Sequence, residues 1–394
     1  MSGIKRVAVA YLRELRNEEL LWSLYQAGFD VQVFEANISV YSVKKEDAQV
    51  VSKYIEANVI DAFFTYDFCP AVSDGCNIKN IPYFAWVYDC PLSTLYEKAI
   101  ANPCNYIFSF DRIQTERIRT LGAKNVRHQP LGTNMFRNSG TVITAEDEKE
   151  FSCNISFVGN LMSDELYMDA ERVVSEATRN EYKRVISDAY GIWDGKDRIH
   201  NALSKAALDE LIAASNYYNS WIKMPADDYF ATNLITYTLA RRERIEMVER
   251  LAKYNIQFFT RTEGVQINGV TPRPGVNQID ELPKVYYLSK INLNLTMHTI
   301  LSGIPLRVFD IMGVGGFVLS NYQPEIEELF KIDEEIVVFH SFEEMEDKVR
   351  YYLEHERQRL QICINGYNAV KERFDNEKII RRMIEETGLN RSVL

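Results

Sequence analysis

Long apolar runs are missing from this chain of 394 residues. The longest stretch without a charged side chain lies between Lys290 and Arg307, and Asn292, Asn294, His298, Ser302 and Pro305 interrupt it. A membrane-spanning helix needs roughly 20 mostly apolar residues, so none is expected. The first twenty residues carry Lys5, Arg6, Arg13, Glu14, Arg16, Glu18 and Glu19, which leaves no apolar segment for a secretory leader. The six cysteines, at 69, 76, 90, 104, 153 and 363, form no Cys-x-x-Cys. No histidine stands at zinc-finger spacing, and Asp-x-Asp is absent, Asp227 and Asp228 being adjacent. Reduced thiols in a cytoplasmic protein without a structural metal are the expectation. Positive charge is also short: 45 Lys and Arg face 56 Asp and Glu, a net charge of −11. A track for nucleic acid needs clustered cations and is excluded, whereas a local basic pocket for one small anion is not.

What is present is the composition of a globular protein, 46 % hydrophobic and 26 % charged, at a length that suits about two domains. The first part alternates short apolar runs with helical periodicity. Ile4–Leu12, Val31–Phe34, Ala62–Phe68, Tyr83–Tyr88 and Tyr106–Phe110 read as strands. Glu18–Gln26 (closed by Gly28), Glu46–Ala57, Ser73–Ile78, Thr94–Ala101 and Ile113–Leu121 read as helices between them. This is the signature of a parallel sheet covered on both faces. The polar, acidic stretch 136–151 reads as an interdomain connection, after which Ile155–Val158 restarts the pattern. A helix-rich stretch, about 164–253, is followed by strands at Ile256–Thr260, Ile291–Leu295, Phe317–Leu319 and Ile336–Phe339. The expected organisation is an N-terminal domain over 1–140 and a second domain over 151–373 with a helical insertion, the cleft between them being the default ligand site.

The richest segment is Ser302-Gly-Ile-Pro-Leu-Arg-Val-Phe-Asp-Ile-Met-Gly-Val-Gly-Gly-Phe-Val-Leu-Ser320. It reads as a loop entering a helix, followed by a glycine-rich turn into a strand. Exposed N–H groups at a helix start, reinforced by the helix dipole, suit a phosphate, and Arg307 adds a charged fork. Asp310 falls one turn further on the same face, where a carboxylate accepts hydrogen bonds from adjacent ribose hydroxyls. Asp89 ends a strand and is a candidate general base. Asp67 and Asp111 hold similar positions and read as caps or turn formers. His298 lies four residues before the anion loop; His128 reads as structural, and His200, His340 and His355 as surface residues. Trp22, Trp86, Trp193 and Trp221 are candidates for stacking on a sugar. Gly191 to Lys196 is not a P-loop, because three residues rather than four separate its glycines and no Ser or Thr follows the lysine.

The frame Ser302-Gly-Ile-Pro-Leu-x-x-x-Asp310-Ile-Met-Gly-x-Gly315 resembles the E-G-F-P-L-x-x-x-E-A-M-A-x-G motif of retaining glycosyltransferases of the GT-B fold. Together with Ile81-Pro-Tyr-Phe-Ala-Trp-Val-Tyr-Asp-Cys-Pro91 and Asn102-Pro-Cys-Asn-Tyr-Ile-Phe108, it is most similar to bacterial CgeB-like glycosyltransferases, a family linked to spore-surface and protein glycosylation. The resemblance implies an α/β GT-B fold of two Rossmann-like domains facing a cleft. Residues 374–394 would form a final helix crossing back to the first domain. It implies a nucleotide-sugar donor, UDP-linked, a protein or glycan acceptor, and no cofactor or metal beyond the donor itself. Donor contacts would come from Gly159, Arg261, Ser302, Gly303, Ile304, Leu306, Arg307 and Asp310, and catalytic contacts from Asp89 and His298. Ser302 stands where the family has its first glutamate, and Gly159-Asn-Leu-Met-Ser163 lacks the family's cations. Phosphate neutralisation would then fall to Arg307, His298 or Arg261. The alternatives are a nucleotide-sugar epimerase on the same fold and a non-catalytic, spore- or surface-associated binding protein.

Overall fold

A computed structural model describes residues 4–13, 18–214, 218, 219 and 222–389. The described residues form two units, one running to Asn134 and resuming at Arg373, the other spanning Met135–Glu372. In the first, strands β1 (Arg6–Tyr11), β2 (Asp30–Glu35), β3 (Ala62–Tyr66), β4 (Tyr83–Val87), β5 (Asn105–Ser109) and β6 (Val126–His128) form a parallel sheet in the order β2-β1-β3-β4-β5-β6. The apolar runs of β1, β3, β4 and β5 are buried on both faces, as inner parallel strands require. One face packs Ala8, Ala10, Phe63, Tyr83, Ala85 and Val87 beneath helices 45–58 and 70–79. The other stacks Phe64, Phe84 and Phe108, whose ring planes lie within 7° of one another.

The second unit repeats the plan. Strands β7 (Cys153–Val158), β8 (Ile256–Thr260), β9 (Arg273–Pro274), β10 (Ser289–Asn294), β11 (Val318–Asn321) and β12 (Val337–Phe339) form a parallel sheet in the order β12-β11-β10-β7-β8-β9. The stretch between β7 and β8 builds its own core from Leu166, Tyr182, Ile186, Phe230, Leu234 and Leu239. The helical insertion is shorter than periodicity suggested. Met247, Val248 and Leu251 of helix Tyr237–Leu251 belong to the core of the sheet.

Several elements differ from expectation for local reasons. Residues 136–151 are not an open connection but two short helices, Met135–Ser139 and Ala145–Phe151. Their acidic residues sit in the first turn of the second helix, where Thr144 and Asp147 form a reciprocal capping box that suits the dipole. Within the helix-rich stretch, the amphipathic run 166–189 is two helices, because Ser175 caps a new helix at Glu176. Thr94–Ala101 forms two tight 3-10 turns, Ser93–Tyr96 and Lys98–Ala101. Helix Pro324–Leu329 and the two-residue β9 carry too few residues to show a period.

The closing helix, Asn376–Thr387, belongs to the first unit. Its entry is held by two backbone hydrogen bonds, from Thr133 N–H to the Phe374 carbonyl and from Asn376 N–H to the Thr133 carbonyl, both 3.0 Å. Gly132 makes this approach feasible, since a Cβ there would stand 2.2 Å from the Phe374 carbonyl oxygen and 2.6 Å from Ile379 Cδ1. Gly132→Ala is therefore expected to cost about 1–3 kcal/mol of stability through overpacking, read from urea midpoints. A loss under ~0.5 kcal/mol would mean that the return segment is loosely held.

Candidate functional site

In a parallel α/β sheet the loops that leave the C-terminal strand ends carry the site. In the second unit those ends enclose a cavity of about 300 Å³. Val158, Gly159 and Asn160 follow β7, and Phe259, Thr260 and Arg261 close β8. Val276 and Gln278 come from the segment after β9, Leu282 and Tyr286 from helix Leu282–Leu288, and Leu306, Arg307 and Asp310 from helix Leu306–Gly313. Phe259, Val276 and Leu282 make an apolar wall. Arg307 and the first amides of the helix make a cationic one.

Each polar group is placed by an identifiable contact. Pro305 begins the helix and offers no side-chain acceptor to its first amides. Arg307 Nη1 donates to Asn294 Oδ1 (3.1 Å) at the end of β10, and its guanidinium lies 5.6 Å from the centre of the Phe157 ring. Gly159 leaves room for it, as a Cβ there would sit 3.4 Å from Arg307 Nη2 and 3.2 Å from Phe157 Cζ. The two loops are tied together by Arg261 N–H donating to Asn160 Oδ1 (3.0 Å) and Leu161 N–H donating to Thr262 Oγ1 (2.9 Å). Asp310 pairs with Arg137 Nη2 at 3.4 Å. The Tyr286 phenol, buried beside Arg307, is pushed up to about 12, chiefly by burial.

Of the residues singled out from the sequence, Gly159, Arg261, Leu306, Arg307 and Asp310 line this cavity. Ser302, Gly303 and Ile304 do not. The Ser302 hydroxyl donates to Glu325 Oε1 (2.8 Å) and its carbonyl accepts from Glu325 N–H (3.1 Å), which holds the loop inside the fold. The expected amide contribution therefore narrows to the helix start at Leu306 and Arg307. His298 is likewise absent from the lining, its Nε2 standing 2.9 Å from Glu243 Oε1 with both side chains buried. Burial works against its charged form, but the Glu243 carboxylate outweighs it and raises the His298 pKa. Arg261 sits on the rim, with Nη2 donating to the Val276 carbonyl (3.4 Å), against a Gly275 whose Cβ would stand 2.4 Å from Arg261 Cγ.

Asp89 lies in the first unit, where Asp67 Oδ1 accepts from the Tyr88 and Asp89 N–H groups at 3.1 and 3.2 Å. Burial and the neighbouring Asp89 charge raise the Asp67 pKa, and Asp89, although exposed as a residue, is also raised, mainly by desolvation of its carboxyl. Asp111 caps the next helix by accepting Gln114 N–H at 2.7 Å. His128 Nε2 reaches the Phe110 carbonyl at 3.3 Å. The His200 ring is 2 % exposed against Asp197, so it is not a surface residue. Trp86 and Trp193 are buried in their cores, Trp22 is half-buried, and none of the three lines the cavity, while Trp221 falls outside the described residues. Among the described residues no three His, Cys, Asp or Glu side chains gather to hold a metal ion, and no helix is long and apolar enough to cross a membrane.

Sequence reasoning missed Arg244. It is 6 % exposed, donates through Nη1 to the Asn160 carbonyl, and lies 6.0 Å from the Phe157 ring centre. Its Nε has no partner. Burial first, then Arg307, pulls its pKa down, yet a guanidinium stays cationic at neutral pH. Its helix neighbour Arg241 donates to the Met162 carbonyl at 3.3 Å. Cations that the loop after β7 lacks are thus supplied by the helix facing it. The signal was the Arg241-Arg-Glu-Arg244 run, which reads as an ordinary charged helix face until the fold turns it inward.

Comparison with known proteins fits this architecture. Residues 241–385, a little over a third of the chain, match a family model described as glycosyl transferase-like. Comparison with curated proteins returns no match. Among solved structures, a glycosyltransferase from Rickettsia africae aligns at TM-score 0.53 and 10 % identity over 99 % of this chain and all of that one. Anabaena Alr3699/HepE, in complex with UDP and glucose, aligns at 0.51 and 10 % identity over 98 % and 99 % of the two chains. A Listeria monocytogenes protein described as a UDP-N-acetylglucosamine 2-epimerase aligns at 0.50 and 9 % identity over 98 % and 96 %. Identities this low establish the fold alone: two six-stranded parallel α/β units in the GT-B architecture.

Two measurements test these assignments. Arg244→Met removes a buried cation, so unfolding free energy should stay within about 1 kcal/mol of wild type or rise. Its affinity for inorganic pyrophosphate should fall about tenfold or more. Intact pyrophosphate binding with a loss of several kcal/mol would assign Arg244 to folding alone. The His298–Glu243 pair contributes stability that is complete below an unfolded-state pKa of about 6.5 and is lost as pH rises through the elevated folded value. The stability gap between wild type and His298→Gln should therefore shrink as pH rises above neutrality. A gap that widens would reverse this assignment.

Proposed function

We propose that the protein is a glycosyltransferase whose second unit holds a UDP-linked sugar and whose first unit takes a hydroxyl acceptor on a protein or surface glycan. The observation that carries this reading is the convergence of an uncapped helix start, Arg307, the Gly159 turn and Asp310 on one cavity. Such a site meets a diphosphate with amides and a guanidinium, and a ribose with a carboxylate. The match over 241–385 and the UDP and glucose held by Anabaena Alr3699/HepE support the donor class. The resemblance to CgeB-like sequences supports the acceptor class and a cytoplasmic location.

In the reaction the bond between the sugar anomeric carbon and the diphosphate oxygen breaks, and a bond to the acceptor oxygen forms. The charge that develops on the leaving diphosphate faces the Leu306 and Arg307 amides, the positive end of their helix and the Arg307 guanidinium, so no metal is required for its stabilisation. A base must take the acceptor proton. With His298 committed to Glu243, Asp89 is the candidate that remains from the sequence. An epimerase needs several acid and base groups around the sugar carbon, whereas the cavity lining contains one carboxylate, Asp310, and no histidine. Transfer is the better fit.

Calorimetry with UDP tests the donor site. Wild type should bind, and Asp310→Ala should weaken binding about tenfold or more; no wild-type binding, or unchanged binding in the variant, rejects the assignment. For the base, Asp89→Asn should lower kcat about 100-fold or more. Because the Asp67 and Asp89 pKa values are raised, the acid limb of the wild-type kcat profile should lie above the ordinary carboxylate value of about 4. An unchanged kcat would place the base elsewhere.

A further inference from the structure

Arg137 sits in the short helix Met135–Ser139, three residues beyond the last residue of the N-terminal stretch of the first unit. It is 173 positions from Asp310 in sequence, yet the two side chains meet at 3.4 Å, with only 10 % and 12 % of their surfaces exposed. The guanidinium is aimed by its neighbour, as Arg137 Nε and Nη2 donate to Asn138 Oδ1 at 3.1 and 2.9 Å. The Tyr286 phenol, Arg307 and Asp310 line the cavity, and Arg137 reaches it through its contact with Asp310. Arg307 is committed to Asn294 and Tyr286.

We propose that Arg137 is the positioning residue that orients Asp310 to read a vicinal diol, and so sets the preference of the site for a ribonucleotide. The inference rests on the donor reading given above. The Arg137 guanidinium holds Oδ1 of Asp310, which lines the same cavity as Phe259, Val276 and Leu282. A carboxylate offers about four acceptor positions, and the pair with Arg137 through Oδ1 fixes the direction in which they point. Hydrogen bonds to the charged form are also the stronger ones. Arg137 therefore acts on discrimination at the ribose rather than on grip at the phosphates.

The test compares UDP with 2′-deoxy-UDP by calorimetry in wild type, Arg137→Lys and Arg137→Met, with thermal unfolding alongside. Wild type should prefer UDP by about tenfold or more, the strength of one charge-assisted hydrogen bond. Arg137→Met should lower that preference to within about threefold while retaining most affinity for 2′-deoxy-UDP, and Arg137→Lys, which keeps the charge but not the fork, should fall between. If Arg137→Met does not fold, the lysine variant decides alone by the same ratio. An unchanged preference in the variants, an equal loss for both nucleotides, or a wild type indifferent to the 2′-hydroxyl would overturn the inference and leave the donor reading standing. A wild type that binds neither nucleotide would overturn both.

Discussion

A positive charge that no protein carboxylate neutralises governs the C-terminal edge of the second sheet. Arg307 and Arg244 both lie within about 6 Å of the Phe157 ring centre, one from the helix after β10 and one from the helix before β8. Neither makes an ion pair with a carboxylate among the described residues. Their partners are neutral oxygens, the Asn294 amide and the Tyr286 phenol for Arg307 and the Asn160 carbonyl for Arg244. Burial first, then the Arg307 charge, lowers the Arg244 pKa, and an anion bound nearby would offset that cost. The surrounding features follow from that constraint: a residue without Cβ at 159, an uncapped helix start at 306, and ties between the β7 and β8 loops that keep the turn in place.

Acidic groups nearby are arranged so that they do not quench this charge. Glu243 is next to Arg244 in sequence but is turned to His298 and the Gly191 N–H. Asp310 is one turn from Arg307 and is held by Arg137. Glu325 closes on Ser302 away from the cavity lining. The net charge of −11 is thus compatible with an anion site, because Arg261 and Arg307 line the cavity against a single carboxylate, Asp310.

Much of the fold was legible in the sequence because buried parallel strands are short apolar runs between polar turns. Ile256–Thr260 was bounded correctly, and other strands to within a few residues. Where reading failed, the cause was local. A capping box converted an acidic linker into a helix, and Ser175 split one amphipathic stretch into two. The segment 302–310 pointed to a helix that lines the cavity, and Arg307 and Asp310 stand on its lining face. Ser302, Gly303, Ile304 and His298 stay out of the cavity lining although they are close to Leu306 in sequence, with Ser302 tied to Glu325 and His298 to Glu243. Arg137, Arg244 and Tyr286 were invisible for the converse reason. They come from distant segments, and only the topology of the sheet brings Tyr286 to the cavity and sets Arg137 and Arg244 against its lining residues Asp310 and Asn160.

The account rests on the claim that the cationic wall receives a diphosphate while Asp310 receives a ribose. The most direct measurement is a crystal structure of the protein with UDP bound. The account predicts phosphate oxygens within hydrogen-bond distance of the Arg307 guanidinium and the Leu306 or Arg307 amide, and ribose hydroxyls on Asp310. A nucleotide seated elsewhere, or phosphates out of reach of Arg307 with Asp310 still paired only to protein, would contradict it.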